Sequence, residues 1–332
     1  MLISSAGLVG VTYGMVEAGQ NGWADPGAMT ALVAGALVLV GFGYWERRFA
    51  GGRRAGTQPL IDLSLFRSAS FTWATILATF VSFAIFGILF ATPLYFQEVH
   101  GADALGTGLR LLPLVSGLVV GMFIGERSAK AARAAVGRVW WGSAKTNVAA
   151  GLALMAVGLY IGAFTTVNTP DLVSGVWLLL AGVGFGLAVP AAMNVALGAL
   201  APERSGVGAA VVSALRQVGA TLGVAVLGTV LNTVYRGQLA AADLPQSVEQ
   251  QARRSVAAGV AAAEDLHSGS ALAAVRAAFV DGLDVMLWVC AGTATAAVVL
   301  AVVFLPHGGG QPAVRGGQDE SSGSDEKPAT VG

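Results

Sequence analysis

The chain has 332 residues, with 19 basic and 19 acidic side chains that cancel to a formal charge of zero. Only 11% of residues are charged and 55% are hydrophobic, against about 25% and about 45–50% in soluble domains, and the mean hydropathy is +0.69. Too few polar side chains exist to cover a water-soluble core of this size, and no basic excess exists to meet phosphates, so a cytosolic enzyme and a nucleic-acid binder are both excluded.

A lone Cys290 rules out a disulfide framework and a cysteine-based zinc site. His100, His267 and His307 stand far apart in the sequence, so no metal or other cofactor is expected. What remains is an integral membrane protein.

Crossing a bilayer takes about 20 mainly apolar residues. Eight stretches qualify, at 2–18, 28–45, 71–94, 105–125, 146–165, 172–192, 207–232 and 284–305. None carries the charged outer face that a soluble bundle would need. The fold class is therefore an all-α membrane bundle of about eight spans. The first stretch opens at Met1 without a polar flank and reaches Glu17 soon after. It has neither the basic region nor the cleavage site of a signal peptide, and reads as a chain that starts inside a helix.

Lys and Arg gather in the connections on one side. Thirteen of the 19, including Arg47, Arg48, Arg53, Arg54, Arg127, Lys130, Arg133 and Arg138, fall in the segments 46–70, 126–145 and 201–206 and in the tail. That side is read as cytoplasmic, with both termini on it. The connection 233–283 then lies outside, its Ala-rich stretches broken by Gly259 and Gly269 reading as short helices over the outer mouth. Residues 307–332, rich in Gly, Ser and acids, are expected to be a disordered cytoplasmic tail. The domains are thus 1–70, two helices and a cytoplasmic amphipathic linker, then a six-helix bundle over 71–306, then the tail.

Within the spans, small residues recur every fourth position: Gly117, Gly121 and Gly125; Gly182 and Gly186; Gly219 and Gly223. Such faces let helix backbones approach in lipid. Pro190 beside Met193 and Asn194 could open a carbonyl and an amide to a cavity. Trp73, Phe80, Phe83 and Phe86 supply aromatic surface for an apolar cavity lining, although a stripe of this kind more often faces lipid or packs. Arg216, followed by Gln217, is the one full charge well inside a span. A charge there costs about 2.5 kcal/mol or more unless it pairs, snorkels or meets water. Two roles fit it: closing one side by bonding carbonyls, or acting on substrate or coupling ion. Glu17, Glu98 and Asp284 fall near span ends, where a wetted position is expected, and no span has a carboxylate near its middle.

Several runs taken together resemble one family. Leu8 to Gly19, Gly22–Trp23 and Trp45 to Arg48 look like the two additional central helices of the fourteen-span drug/proton antiporters, the EmrB/QacA-type branch of the major facilitator superfamily. Pro59 to Phe71 resembles the cytoplasmic lead into that branch's ninth helix, and Gly108 to Pro113 the start of its tenth. The run GVGFGLAVPAAMNVALGALAPERSGVGAAVVSALRQVGATLGVAVLG is similar to its twelfth and thirteenth helices. Gly125, Arg133, Gly137 and Arg138 match parts of a basic gating loop that here lacks its usual acidic partner.

The resemblance implies export of small amphiphilic drugs or metabolites by proton antiport across the plasma membrane. Membrane lipid, a small-molecule substrate and protons would be the partners. It also implies that the first six helices of the family are absent, so that the chain is a truncated form or a half that pairs with another chain. A membrane-embedded enzyme is the weakest alternative. Asp281, Asp284, Glu264 and Asp265 have only His267 as a partner at helical spacing.

Overall fold

A computed structural model describes residues 25–50, 63–134 and 143–305, together with scattered positions between 6 and 17. No strand occurs among the described residues; the described positions between 6 and 17 are helical, and from residue 25 on the described residues form nine α-helices. They are α1 (Pro26–Ala50), α2 (Ala69–Leu94), α3 (Ala104–Ala134), α4 (Ala144–Gly162), α5 (Asp171–Gly198), α6 (Ser205–Ala241), α7 (Gln246–Ala252), α8 (Val256–Asp265) and α9 (Gly269–Phe304).

The starts follow from capping side chains that take up orphan amides. The Asp25 carboxylate accepts from the Ala28 amide at 2.9 Å, and Asp103 accepts from Gly106 at 2.8 Å. Ser68, Ser143, Ser255 and Ser268 cap α2, α4, α8 and α9 in the same way. Near the other end of α2, Pro93 interrupts the regular bonding, and the chain widens into a π-helical turn over Tyr95–Val99.

Six helices are long and apolar enough to cross a membrane: α2 with its π turn, α3, α4, α5, α6 and α9. Of the eight expected spans, the first lies largely outside the described residues. The second falls on α1, whose described apolar part, Pro26–Val38, is shorter than a crossing. A Cβ on Gly10 would stand 3.1 Å from the Cα of Gly35, so the segment 6–17 and α1 lie backbone to backbone. The domain assignments 1–70 and 307–332 fall in good part on residues outside the described set.

The expected connection 233–283 divides differently. Helix α6 runs on to Ala241 and α9 begins at Gly269, which leaves only 242–268, with α7 and α8, as the connection. Hydropathy falls at the charged residues, but Ala-rich backbone continues as helix because each charge finds a place. Asp281 accepts from Gln238 at 2.8 Å, and the Arg276 guanidinium donates to the Glu98 carbonyl at 2.9 Å.

Glycine faces hold the bundle together. Gly117 and Gly121 of α3 lie on the backbone of Leu179, Val183 and Leu187 in α5, while Gly182 and Gly186 of α5 lie on Leu114 and Leu118 in α3. Gly151 and Gly184 pack α4 on α5 in the same reciprocal manner. Gly219 and Gly223 of α6 rest on Thr79 and Phe83 of α2. In lipid there is no hydrophobic drive between helices, so such close backbone contact supplies the van der Waals energy of association. Coverage is uneven. Of the most apolar stretch of α2, 61% is buried, but of α3 only 17%, leaving Leu109, Leu112, Val119 and Phe123 bare.

Candidate functional site

Sites in such a bundle would be built from the polar groups that apolar helices retain. In α2 and α6 these converge. The α6 backbone lies on α2 at Gly219–Thr79 and Gly223–Phe83, a register in which both numbers increase together, so the two helices run parallel. Ser82, 1% exposed, lies beyond Thr79 along α2, and its Oγ accepts from Arg216 Nε at 3.2 Å. The guanidinium is half-buried and directed along the pair of helices, away from the short connection Ala199–Arg204. Among the described residues it has no carboxylate partner. Gln217 is exposed beside it, and its backbone carbonyl accepts from the Thr221 hydroxyl at 3.0 Å.

The aromatic residues separate. Trp73 stacks on Phe304 at 4.2 Å and joins α2 to α9, a packing position. Phe83 is half-buried with its carbonyl against Gly223, while Phe80 and Phe86 are exposed on α2. On α5, which also packs on α2, Pro190 and Met193 are half-buried and Asn194 is exposed.

The basic loop is only partly described. The Gly125 carbonyl accepts from Ser128 Oγ at 2.9 Å and from Asn147 Nδ2 at 3.4 Å, and Asn147 also donates to Ser128 at 2.9 Å. This ties the end of α3 to the start of α4. The backbone of Arg133 belongs to α3; its side chain, Gly137 and Arg138 lie outside the described residues.

A second polar cluster, which the sequence reading did not gather, sits at the opposite end. Arg110 donates to Asp171 through Nε and Nη2, both at 2.9 Å, and lies 5.8 Å from the Phe96 ring centre. His100 places Nδ1 3.5 Å from Asp171 and Nε2 2.9 Å from the Tyr95 hydroxyl, which also donates to the Thr166 carbonyl at 3.3 Å. Burial holds the His100 imidazole below its ordinary range; Asp171 pulls the other way, and Arg110 and Arg276 add to the lowering. Arg276 closes the set with Glu264 at 3.7 Å.

Asp284 belongs near this end and corrects an expectation. One turn on, Trp288 packs on Tyr160 and Phe164, where α4 ends. Asp284 is therefore at the level of the α4–α5 connection, but it is half-buried there and not freely exposed. Its Oδ1 is enclosed and has no hydrogen-bond partner among the described residues. It is also the sixteenth of 36 residues in α9 rather than the start of a span. Two signals in the sequence could have exposed these ties: Ser82, which continues Thr75 and Thr79 as a row of hydroxyls at helical spacing in an apolar run, and the spacing of His100 from Tyr95.

Comparison with known proteins accords with the bundle. Residues 2–224 match the family described as Major Facilitator Superfamily. The chain is 29% identical over 310 residues to the multidrug resistance protein Stp of Mycobacterium tuberculosis, covering 89% of this chain and 53% of that protein. It is 25% identical over 313 residues to the tetracenomycin C resistance and export protein of Streptomyces glaucescens, covering 91% of this chain and 55% of the relative. The methylenomycin A resistance protein of Streptomyces coelicolor is 29% identical over 226 residues, 68% of this chain and 44% of its own length. The chain spans about half the length of the curated relatives it matches. Among solved structures, a bacterial homolog of the human lysosomal transporter Spinster, inward-facing and occupied, is similar in fold. The TM-score is 0.55 at 17% identity, over 90% of this chain and 63% of that one. A family match over residues 2–224, carried on a bundle of six membrane-length helices sealed by glycine faces, makes this multi-pass membrane chain a member of the major facilitator superfamily.

Proposed function

We propose that the chain is part of a plasma-membrane exporter of small amphiphilic drugs or metabolites, driven by proton antiport, with both termini in the cytoplasm. The observation that carries this reading is continuous likeness, over 89% and 91% of the chain, to proteins named for multidrug resistance and for antibiotic resistance and export. Within that reading the chain corresponds to the two central helices and second bundle of the EmrB/QacA-type branch. The transport step is a rocking of two bundles about a midplane cavity. Phe80, Phe83, Phe86, Pro190, Met193 and Asn194 line this bundle's side of it, and Trp73 fastens its edge. Arg216 and Gln217 act at its centre. Gly125, Arg133, Gly137 and Arg138 form the cytoplasmic gating loop, and Gly117, Gly121, Gly182, Gly186, Gly219 and Gly223 are the sliding contacts.

A second reading has a specific observation in its favour: the chain is inactive alone and works only against a facing bundle. That the chain spans about half the length of the relatives it matches supports it. An enzyme is disfavoured, because Asp281 and Glu264 are held by Gln238 and Arg276 as structural ties.

The test is accumulation of a fluorescent amphiphilic dye in cells that express the chain alone or with the N-terminal bundle of a relative. Lower accumulation with the chain alone supports the first reading, and lower accumulation only with both supports the second. Unchanged accumulation in both contradicts export.

A further inference from the structure

Arg216 presents a charge with unfilled capacity. A guanidinium carries five N–H donors in a planar fork, and among the described residues only Nε–H is engaged, with the neutral hydroxyl of Ser82. Its location is central. Ser82 is the fourteenth of the 31 residues in the apolar helix Ala69–Val99, and Arg216 the fifteenth of 40 in Pro202–Ala241. A cation at that depth is costly unless it is paired or hydrated.

Among the described residues no anion pairs with it. Helices α2, α4 and α6 contain no Asp or Glu. The described acids of α3, α5 and α9 lie elsewhere. Asp171 begins α5 and binds Arg110, Glu126 lies near Lys130 toward the end of α3, Asp281 binds Gln238, and Asp284 lies at the level of the α4–α5 connection, one turn from the Trp288 contacts with Tyr160 and Phe164.

The tether to Ser82 fixes the fork instead of letting it return to the helix end, which is how a receptor group is held ready. Next to it lie apolar surfaces suited to the rest of a ligand. Phe86 is one turn beyond Ser82 and 37% exposed, and Phe83 is drawn against α6 at Gly223.

We propose that Arg216 is the receptor for an oxyanion of the carboxylate class, carried by an amphiphilic small molecule that binds at the middle of the bundle. The proposal rests on the export reading for its setting and names the substrate class of that same site. Two parallel N–H···O bonds from the terminal amines would hold the carboxylate, the geometry in which Arg is strongest. Ser82 positions the fork, and Phe83 and Phe86 take the apolar body.

The experiment uses the full chain in lipid nanodiscs and three probes sharing one ring system: 1-naphthylacetic acid, its methyl ester, and 1-naphthylethylamine. Equilibrium dialysis, corrected with empty nanodiscs, gives each affinity at pH 7.5. The acid is expected to bind at least about tenfold tighter than the ester or the amine, the scale of a hydrogen bond to a charged group. R216Q should abolish that preference, R216K should keep part of it, and S82A should weaken acid binding by a smaller factor. R236Q, at the exposed far end of α6, should leave all three affinities unchanged. R216K also separates loss of the site from loss of the fold.

Equal binding of acid and ester, preference for the amine, or an undiminished acid preference in R216Q each overturns the proposal. Cellular export of the ester and amine in the face of any of those results leaves the export reading standing while this inference falls. Arg216-dependent binding of the acid, without export of any probe, does the reverse.

Discussion

At the end of the bundle where α4 joins α5, charge is shared; in the middle of α6 it is withheld. Arg110, Asp171, His100 and Tyr95 are joined in a chain by contacts of 2.9 to 3.5 Å, in which Asp171 and His100 each serve two others. They fasten the π turn, the first turns of α3 and the start of α5. Among the described residues Arg216 has a single hydroxyl. Groups of the first kind stabilise the fold they sit in, whereas an unsatisfied charge in an apolar setting costs stability and is kept for something outside the fold. The glycine contacts between these regions set the scale for both, because they are what holds the helices at the distance where such bonds can form.

Replacing Gly182 by Val should have the largest effect. Its side chain would enter the Leu114 carbonyl, and backbone cannot yield as a flexible side chain can. A loss of about 3 kcal/mol is expected, read as a lower melting temperature in detergent, whereas Gly292→Val, with open space around it, should be near neutral.

Arg216→Met should change stability in the opposite direction, raising it by up to about 2 kcal/mol, since an isolated charge is removed from an apolar helix. A destabilised Arg216→Met would erase the contrast between the two regions.

Asp171→Asn tests the shared end. Both partners are partly exposed, so the loss should be about 1 kcal/mol or less and should shrink in high salt.

The smallest effect is that of pH on His100. Its imidazole is held below the ordinary His range in the fold, so the unfolded chain takes up the proton first. The stability it contributes is complete above about pH 6.5 and is lost as pH falls from there through the lower folded value. The melting temperature of His100→Gln should therefore fall less between pH 7.5 and 5.5 than that of the parent chain.

Much of this architecture was legible in the residues. Uninterrupted apolar runs locate the six long helices, and glycines at four-residue spacing identify faces that do carry backbone contacts, because both depend on local composition. Boundaries were less legible. Charged residues such as Asp281 and Arg276 lower hydropathy without ending a helix, so α9 extends fifteen residues ahead of the span expected at Asp284. The partners of charges were the least legible. That Arg216 reaches Ser82, 134 positions away, is set by the parallel packing of α2 on α6, and His100 meets Asp171 only because the α2–α3 and α4–α5 connections converge. Such pairings are products of tertiary geometry and leave no pattern within either segment.

The measurement that bears most directly on the account is dye or drug accumulation in cells that carry the chain together with a facing N-terminal bundle, comparing the parent with Arg216→Ala at equal membrane insertion. The account predicts that the parent lowers accumulation and that Arg216→Ala restores most of it. Accumulation that stays as low with Arg216→Ala as with the parent would contradict the role assigned to the centre of the bundle.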